Sequence, residues 1–508
     1  MEDYLMITNV LDYLDASAAR FPDKIAFGDD KTALTFAELQ DKARRGGTYL
    51  ASRIAMNSPV AVFMEKTPEC LAAFFAAVSA GCFYVPLDTK MPADRVKLIF
   101  DTLHPAFVFY DAKNEATAKA VAGDAQTALF AEACETQADE AVLSAIREAH
   151  VDTDLLYVLF TSGSTGVPKG VTISHRSMVD YADWLHEALD IDENSILGNQ
   201  APFVFDNSTL DIYSTLKNGA TTWIIPKKCF SFPKTMMQFI AQHEINTIFF
   251  VPSALIALAN SGVLDITQPT TLERVYFCGE VMPNRQLNMW RKALPNAKFC
   301  NMYGPTEITD VCSYYIVDRE FEDNDPLPIG KPCRNTRILI LNDENKPAAV
   351  EETGEICILG TCLSMGYYNN PEQTNKVFVQ NPLNTAFVER MYRTGDLGHW
   401  NERGEIMFQG RKDFQIKHQG CYRIELGEIE TALLAVPSVS NGCCLFDAEK
   451  DEIVCVYIGG EDETALAKQL KVKLPTYMMP NRYVRLDRLP MTINDKIDRV
   501  TLKKTYIG

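Results

Sequence analysis

Short apolar, strand-like runs alternate with helix-like segments through the first 410 residues, and this alternation limits the possible folds more than any other feature of the sequence. Residues 59–64 precede a helical pattern at 69–80, and residues 247–251 precede one at 254–260. The runs are rich in β-branched and aromatic residues, as buried strands are. Alternating strands and helices pack as parallel sheets that are covered on both faces. We therefore predict an α/β fold.

Length and turn signals indicate that the chain has more than one domain. A chain of 508 residues is too long for a single hydrophobic core. The proline-rich segment EDNDPLPIGKPCR breaks the alternation, and the shorter runs RILIL, GEICILG and GEIMFQG after it predict a β-rich subdomain. Beyond Lys412, about 95 residues remain, enough for one small α+β domain. We predict a large domain over residues 1–412, with doubly covered mixed or parallel sheets, and a small one over 413–508.

The charge balance excludes one class of partner. The chain has 49 Lys and Arg against 67 Asp and Glu, a formal net charge of −18. It lacks the cationic surface that supplies most nucleic-acid affinity, so we expect no nucleic-acid partner. An anionic substrate must be held by local positive groups.

The longest uncharged stretch, residues 71–87, reads as a buried helix followed by a buried strand at 82–85. Ser79, Gly81 and Pro86 interrupt it, and 17 residues is the short limit for a membrane span, so we expect no membrane insertion. The 14 cysteines form no C-x-x-C pair, and the opening MEDYLMITNV lacks the pattern of a secretory signal. We expect reduced thiols and a cytoplasmic location.

A loop of glycines and hydroxyls follows the buried strand predicted at residues 155–160. Glycines let a backbone approach a phosphate, hydroxyls donate hydrogen bonds, and a lysine adds charge. Pro168 stands where the Walker pattern requires glycine, so this is not a Walker loop. The alternative is a flexible surface loop. The candidate phosphate-binding residues are Thr161, Ser162, Gly163, Ser164, Thr165, Gly166 and Lys169.

The loop sequence TSGSTGVPKGV resembles the phosphate-loop signature of the acyl-adenylate-forming superfamily, which includes acyl-CoA synthetases, luciferases and the adenylation domains of peptide synthetases. The segments FDNSTLDIY, NMYGPTE, GEICILG, YRTGDLG, GRKDFQIK and NDKIDR match later motifs in order. The resemblance implies two steps. A carboxylate attacks the α-phosphate of ATP and releases pyrophosphate, and a thiol then takes the acyl group. ATP and Mg²⁺ are the implied cofactors.

The resemblance also implies nucleotide-binding roles. Tyr303 would stack on adenine, with Asn301 and Gly304 beside it. Thr306 would contact the α-phosphate, and Glu307 would hold Mg²⁺, as a hard carboxylate suits a hard ion. These motifs also have a purely structural interpretation. Residues 303–307 could form a turn followed by the start of a helix, and Arg411 could form a surface salt bridge with Asp413. Two further residues, Asp396 and Arg411, would bind the ribose.

Three residues near the small domain take roles from the resemblance alone. Lys496 would bridge the substrate carboxylate and the phosphate during adenylation, although Asp495 stands where the family has glycine. Asp413 matches the hinge about which a mobile small domain pivots. Lys417 would lie on the loop that faces the active site in the second step. Without the resemblance, Lys496 would read as a solvated surface charge.

Asp206 indicates the class of acid that is activated. In amino-acid-activating members, an aspartate here pairs with the substrate ammonium group, and a buried carboxylate is costly without such a cation. The alternative is that Asp206 caps the helix that follows it. By motif position, the rest of the acyl pocket is formed by Asn207, Leu210, Ser253, Tyr276, Cys278, Met302, Asp310 and Val311.

The segment FCGEVMPN looks most like the ligases that load D-alanine onto a carrier protein, in which a cysteine lines a very small pocket. Met302 is bulky and supports a small substrate, whereas Asp310 could instead meet a polar or cationic side chain. We expect an amino-acid substrate, D-alanine favoured, and a phosphopantetheine-bearing carrier protein. The alternatives are a peptide-synthetase adenylation enzyme for another amino acid, an acyl-CoA ligase, which would have no use for Asp206, and a non-catalytic binding module.

We predict that Lys496→Ala suppresses adenylate formation but largely spares thiol transfer from a preformed adenylate, because the lysine stabilises charge only in the first step. Measuring the two half-reactions separately checks this. Equal losses in both would remove the assigned role.

Overall fold

The structure is a computed structural model, and it describes residues 7–163, 167–323, 325–412, 415–419, 422–460, 462–490 and 497–507. The chain forms two compact units. The first unit comprises Met1–Thr89, Leu103–Leu159 and Val171–Lys412. The second unit comprises Lys90–Thr102, Phe160–Gly170 and Asp413–Gly508, so it includes two stretches that the sequence prediction assigned to the large domain. The predicted domain bounds and the hinge stay predictions.

The helices of the described residues are α1 Leu11–Arg20, α2 Phe36–Ala51, α3 Pro68–Ser79, α4 Ala93–Leu103, α5 Glu115–Val121, α6 Phe130–Ala133, α7 Glu140–Ala149, α8 His175–Leu189, α9 Ser208–Asn218, α10 Lys227–Ser231, α11 Pro233–Gln242, α12 Pro252–Asn260, α13 Val263–Ile266, α14 Asn284–Ala293, α15 Pro371–Val377, α16 Leu426–Leu434, α17 Glu463–Lys473 and α18 Arg499–Tyr506. Short 3₁₀ turns span Thr306–Ile308 and Thr476–Met478.

The strands of the described residues are β1 Ile25–Gly28, β2 Ala33–Thr35, β3 Pro59–Phe63, β4 Phe83–Pro86, β5 Phe107–Tyr110, β6 Gln126–Leu129, β7 Leu155–Thr161, β8 Lys169–Ser174, β9 Ile196–Asn199, β10 Thr221–Ile224, β11 Thr247–Phe250, β12 Arg274–Cys278, β13 Lys298–Tyr303, β14 Ser313–Ile316, β15 Lys331–Pro332, β16 Thr336–Leu341, β17 Gly354–Gly360, β18 Gly366–Tyr367, β19 Phe378–Gln380, β20 Arg390–Trp400, β21 Ile406–Arg411, β22 Gln415–His418, β23 Tyr422–Glu425, β24 Val439–Asp447, β25 Glu452–Gly459 and β26 Arg482–Arg485.

Two large sheets have parallel centres. Among the described residues, one has nine strands in the order β15-β14-β13-β12-β11-β9-β10-β1-β2, with parallel pairing from β13 through β1. The other has seven strands in the order β18-β8-β7-β4-β3-β5-β6. Central strands such as β3, β4 and β11 are buried at every residue, as strands covered on both faces must be. The predicted α/β class is confirmed.

A β-rich part follows the proline-rich connector, as predicted. In the described chain, strands β16, β17, β19, β20 and β21 form an antiparallel sheet in which β20 pairs with β17, β19 and β21. Its strands GEICILG and RILIL match the predicted runs closely.

The second unit has its own core around strands β24, β25 and β26. Helices α16 and α17 contribute Leu433 and Leu470 to one apolar cluster. Helix α18 contributes Leu502 to another cluster, with Cys443 and Leu445 of β24. Side chains alternate between the faces of a strand, so Cys443 and Cys444 belong to opposite clusters.

No helix in the described ranges is long and apolar enough to cross a membrane. Residues 71–87 instead supply most of α3 and all of β4, as predicted. The cysteines of the described ranges are all free.

Helix α9 contains a buried carboxyl group, Asp211, which is 0% exposed. Its Oδ2 accepts a hydrogen bond from Asn199 Nδ2 at 2.7 Å. Burial raises the pKa of Asp211 to about 7, despite the opposing effects of Asn199 and the more distant Lys66. The carboxyl group is therefore easier to ionise in the unfolded chain than in the folded one.

We predict that Asp211→Asn stabilises the protein at pH 8. The unfolded chain releases this proton near pH 4, whereas the folded chain holds it until about pH 7, so the wild-type free energy of unfolding falls as pH rises between these values. The gain at pH 8 is at most about 4 kcal/mol and closes by pH 4. Urea denaturation at both pH values checks this; an equal difference at the two would contradict it.

Candidate active site

Strand β13 places three predicted site residues directly on the nine-stranded sheet. Asn301, Met302 and Tyr303 lie within the strand. The run continues because β13 pairs on both edges, with β12 and with β14. Side chains alternate along a strand, so Asn301 and Tyr303 point away from the face that carries Met302. Asn301 Nδ2 donates to the Pro328 carbonyl at 2.8 Å.

A buried carboxylate, Asp396, joins this strand to the antiparallel sheet. Its two oxygens accept hydrogen bonds from the Tyr303 hydroxyl and from the Arg411 guanidinium. Asp396 lies inside β20, opposite Arg411 of β21. The backbone beside it is locally irregular, since Gly395 has a φ of +74° and the pairing shifts register after Leu397.

Tyr303 is a fixed hydrogen-bond donor. Burial, with the Asp396 carboxylate adding to it, raises the pKa of Tyr303 well above its ordinary value of 10. The hydroxyl therefore stays protonated at neutral pH and keeps donating to Asp396. The carboxylate is in turn neutralised by Arg411, as a buried charge requires.

The turn after β13 carries Thr306 and Glu307, and a 3₁₀ turn begins at Thr306 as the alternative interpretation of the motif expected. Gly304 allows the chain to fold back closely, because a Cβ there would lie 2.1 Å from the Asp310 carbonyl oxygen. Glu307 is 0% exposed, and its Oε1 accepts the Tyr367 hydroxyl at 2.7 Å. Thr306 is partly buried.

Two residues beyond this turn hold unusual backbone conformations. Thr309 has a φ of +62° and Asp310 a φ of +70°, in the left-handed region that costs non-glycine residues about 1–3 kcal/mol each. The Thr309 hydroxyl secures its position by donating to the Cys362 carbonyl at 2.8 Å. Asp310 Oδ2 accepts the Tyr181 hydroxyl at 2.7 Å, although Asp310 is only 1% exposed.

The predicted acyl pocket is brought together largely by sheet register. Tyr276 pairs with Cys300 and Cys278 with Met302 in the parallel β12–β13 ladder, so all four share one face. Helix α9 supplies Leu210 from the same apolar cluster, which also contains Val311. Ser253 lies in α12, where its backbone amide donates to Glu280 Oε2 at 2.8 Å.

Asp206 and Asn207 precede helix α9, and each is about 9% exposed. Asn207 occupies the N-cap position, and no side chain caps the helix there. The Asp206 carboxylate accepts the amide of its neighbour Asn207 at 3.0 Å, not the amide of a first-turn residue. Its backbone carbonyl accepts the Thr209 hydroxyl at 2.7 Å. The described contacts of Asp206 are therefore not those of a helix cap.

Asp206 and Asp310 both lie within electrostatic range of one tyrosine. Burial raises the pKa of Tyr157 well above 10, and the charges of Tyr84, Asp206 and Asp310 raise it further. Two carboxyl groups thus approach an otherwise apolar cluster, an arrangement that a cationic or hydrogen-bond-donating ligand would stabilise.

The second unit contains the described part of the glycine-rich loop. The Ser162 hydroxyl donates to the Arg423 carbonyl at 2.7 Å and accepts the Glu425 amide at 3.1 Å. Gly163 N donates to Glu428 Oε2 at 3.2 Å. Thr161 ends strand β7, and Lys169 begins β8 with its Nζ 3.7 Å from Glu425 Oε1.

Several predicted residues cannot be assessed in the structure. Ser164, Thr165, Gly166, Asp413 and Lys496 lie outside the described residues. Lys417 lies on β22 and is exposed.

The chemistry of Glu307 is compatible with Mg²⁺. Mg²⁺ is commonly held by one or two protein carboxylates, with substrate phosphates and water completing its shell. In the described ranges no group of three or more His, Cys, Asp or Glu side chains could hold a metal ion by itself. Glu307 could supply one such carboxylate ligand, with substrate phosphates and water as the others.

Sequence reasoning missed the partners that orient these groups. Tyr367 donates to Glu307 and Tyr181 to Asp310, and neither tyrosine belongs to a motif used in the prediction. Glu425 and Glu428 stand in the segment IELGEIE, which begins seven residues after the end of the GRKDFQIK motif. The cluster of acidic residues in this segment was the sequence signal that could have identified Glu425 and Glu428.

Comparisons with known proteins agree with this geometry. The sequence pattern of the family described as AMP-binding enzyme matches residues 14–368. The chain is 31% identical over 512 residues to a D-alanine–D-alanyl carrier protein ligase of Lacticaseibacillus casei, covering 98% of this chain and 99% of that one. It is 33% identical over 509 residues to a mycosubtilin synthase of Bacillus subtilis, covering 96% of this chain and 19% of that much longer protein.

The solved structure of the Vibrio cholerae adenylation domain AlmE, in complex with glycyl-adenosine-5'-phosphate, has the same fold. It matches with a TM-score of 0.83 at 20% identity, covering 99% of each chain. The chain belongs to the AMP-binding enzyme family, as the order of its motifs predicts, and the resemblance to the adenylate-forming superfamily is confirmed.

We predict that Tyr303→Phe raises the KM for ATP about tenfold, because a hydrogen bond to a charged group contributes about 1.5 kcal/mol and the aromatic face is kept. Steady-state kinetics with varied ATP check this. Tyr315→Phe is the matched control. Tyr315 lies on the neighbouring strand β14, and its hydroxyl donates to Asp318 at 2.7 Å. Equal effects of the two variants on KM would contradict a role in nucleotide binding.

Proposed function

We propose that this chain activates an amino acid as its aminoacyl adenylate, with release of pyrophosphate, and then transfers it to the phosphopantetheine thiol of a carrier protein. The observation that carries the amino-acid assignment is the buried Asp206 carboxylate, which precedes helix α9 without capping it. A buried carboxylate beside apolar side chains is suited to pair with a cation of the ligand. An α-ammonium group is such a cation.

In the first step, a carboxylate oxygen of the substrate bonds to the α-phosphorus of ATP, and the bond to the pyrophosphate oxygen breaks. No general base is needed, because the carboxylate is already ionised at neutral pH. Catalysis is then positioning and charge neutralisation. We assign adenine contacts to Tyr303, Asn301 and Gly304, and ribose contacts to Asp396 and Arg411.

The phosphates are assigned to the glycine-rich loop and to Thr306, with Lys496 completing the charge neutralisation. Glu307, oriented by Tyr367, would hold Mg²⁺. Bound there, the ion would neutralise charge on the phosphate oxygens. The loop residues assigned to the phosphates are Thr161, Ser162, Gly163, Ser164, Thr165, Gly166 and Lys169.

In the second step, the carrier thiol attacks the acyl carbon, the thioester forms, and AMP leaves with the former carboxylate oxygen. We assign the pivot between the two steps to Asp413 and a positioning role in the second to Lys417. The name of the L. casei relative supports a carrier protein as acceptor. A cytoplasmic setting, with ATP and reduced thiols, belongs to the same proposal.

We favour D-alanine as the substrate. Cys278 and Met302 lie side by side on one face of the sheet and are 1% and 2% exposed, and we assign them to the wall of a pocket for a short side chain. The D-alanine–D-alanyl carrier protein ligases that cover nearly the whole chain support this choice. The second candidate is an amino acid with a polar or cationic side chain, which the buried Asp310 favours.

Amino-acid-dependent ATP–pyrophosphate exchange across the common D- and L-amino acids, with simple carboxylic acids included, tests the proposal. We expect D-alanine to give the highest kcat/KM. Exchange with carboxylic acids that lack an amine would overturn the amino-acid assignment. Preference for a longer polar or basic amino acid would select the second candidate.

We predict that Asp206→Ala raises the KM for the amino acid by at least a hundredfold, since leaving a buried charge without its partner costs about 3–5 kcal/mol. The KM for ATP should change little. Asp211→Asn is the matched control, because Asp211 lies within helix α9 and is bonded to Asn199; this variant should leave the amino-acid KM unchanged. Normal exchange by Asp206→Ala at the wild-type amino-acid concentration would remove the ammonium role.

A further inference from the structure

Carboxylate groups lie against two donors in the described part of the glycine-rich loop in the second unit. Gly163 N donates to Glu428 Oε2 at 3.2 Å. Lys169 Nζ lies 3.7 Å from Glu425 Oε1, and both side chains are 13% exposed. Ser162 bridges the same segment through the Arg423 carbonyl and the Glu425 amide. We name Ser162, Gly163, Lys169, Glu425 and Glu428 the loop–carboxylate cluster.

The cluster is anchored by a buried ion pair. Arg95 of α4 pairs with Glu428 of α16, and their side chains are 5% and 2% exposed. Burial raises the pKa of Glu428, while Arg95 and the Gly163 amide oppose that shift. Buried ion pairs contribute little to stability compared with apolar residues of the same shape. Stability alone therefore does not account for the Arg95–Glu428 pair, which also contacts the loop backbone at Gly163.

Carboxylate and phosphate oxygens seek the same partners. Both accept hydrogen bonds from backbone amides of a glycine-rich loop, and both pair with a lysine ammonium group. The Gly163 amide has one hydrogen, so a well-aligned bond to Glu428 and one to a phosphate oxygen exclude each other. The Lys169 charge is likewise shared between Glu425 and any incoming phosphate.

We propose that Glu425 and Glu428 are internal anions that compete with the phosphates of ATP for Gly163 and Lys169. This inference rests on the proposed function, which assigns the phosphates to this loop. The apparent ATP affinity is the intrinsic affinity multiplied by the fraction of molecules in which the carboxylates have released the loop. The same competition acts on pyrophosphate, so the carboxylates oppose its return after the first step.

The test measures binding of ATP with Mg²⁺ by titration calorimetry without any amino acid. The variants are Glu425→Gln and the double variant Arg95→Gln/Glu428→Gln, which replaces the buried ion pair by two neutral amides. We expect the Kd for ATP to fall about three- to tenfold in each. Glu430→Gln is the matched control, because Glu430 lies on the same helix and pairs with Arg499 at 2.7 Å, away from the loop.

Melting temperatures separate competition from scaffolding. A lower melting temperature with an unchanged or higher Kd in both test variants would show that the carboxylates only hold the loop in place, and would overturn the inference. A fall in Kd for Glu430→Gln equal to that of the test variants would also overturn it.

Failure of the inference and failure of the proposed function are distinguishable. If the wild type catalyses amino-acid-dependent exchange and the test variants bind ATP no more tightly, the inference alone fails. If the variants bind ATP more tightly but no amino acid supports exchange in the wild type, the proposed function alone fails. If the wild type binds no ATP, both fail.

Discussion

The buried Asp396 carboxylate is the constraint around which the nucleotide end of the candidate site is organised. It accepts a hydrogen bond from Tyr303 of the nine-stranded sheet and pairs with Arg411 of the antiparallel sheet. A buried charge that loses its partner destabilises a protein by about 3–5 kcal/mol, so the three side chains must be placed together. That requirement fixes strand β13 against the hairpin of β20 and β21. It also leaves an anionic group beside an aromatic ring, which is the pairing that a nucleoside needs.

The parallel ladder then positions the acyl end from the same strand. Residue Met302 follows Asn301 along β13 but faces the other side of the sheet, where its parallel partner Cys278 lies. In the proposed function, one strand would thus serve both substrates, with a nucleotide contact on one face and an acyl-pocket contact on the other. The left-handed Thr309 and Asp310 turn the chain back after β13, so Asp310 reaches the neighbourhood of Asp206 and Tyr157. The cost of that backbone conformation is consistent with a functional segment.

The sequence predicted the local features well and the distant ones poorly. Buried strands such as GEICILG were found almost to the residue, because apolar composition and turn signals are local properties. The position of polar Asn301 inside a central strand could not be predicted in this way, because it depends on the cross-strand neighbours of β13.

The orienting pairs are harder still to predict. Tyr367 and Glu307 are separated by 60 residues, Tyr181 and Asp310 by 129, and Arg95 and Glu428 by 333. No periodicity or motif links residues at such separations, since their contact arises only from tertiary packing. The motifs located the groups to which we assign the substrate contacts, whereas the groups that orient them required the structure.

The fate of the substrate carboxylate oxygen tests the central claim most directly. The protein is incubated with ATP, Mg²⁺, a phosphopantetheine-bearing carrier protein and D-alanine whose carboxylate is labelled with ¹⁸O, and the products are analysed by mass spectrometry. Attack on the α-phosphorus followed by thiol transfer predicts AMP carrying one ¹⁸O atom, together with unlabelled pyrophosphate. Formation of ADP with ¹⁸O in inorganic phosphate would show attack on the γ-phosphorus, and would contradict the account.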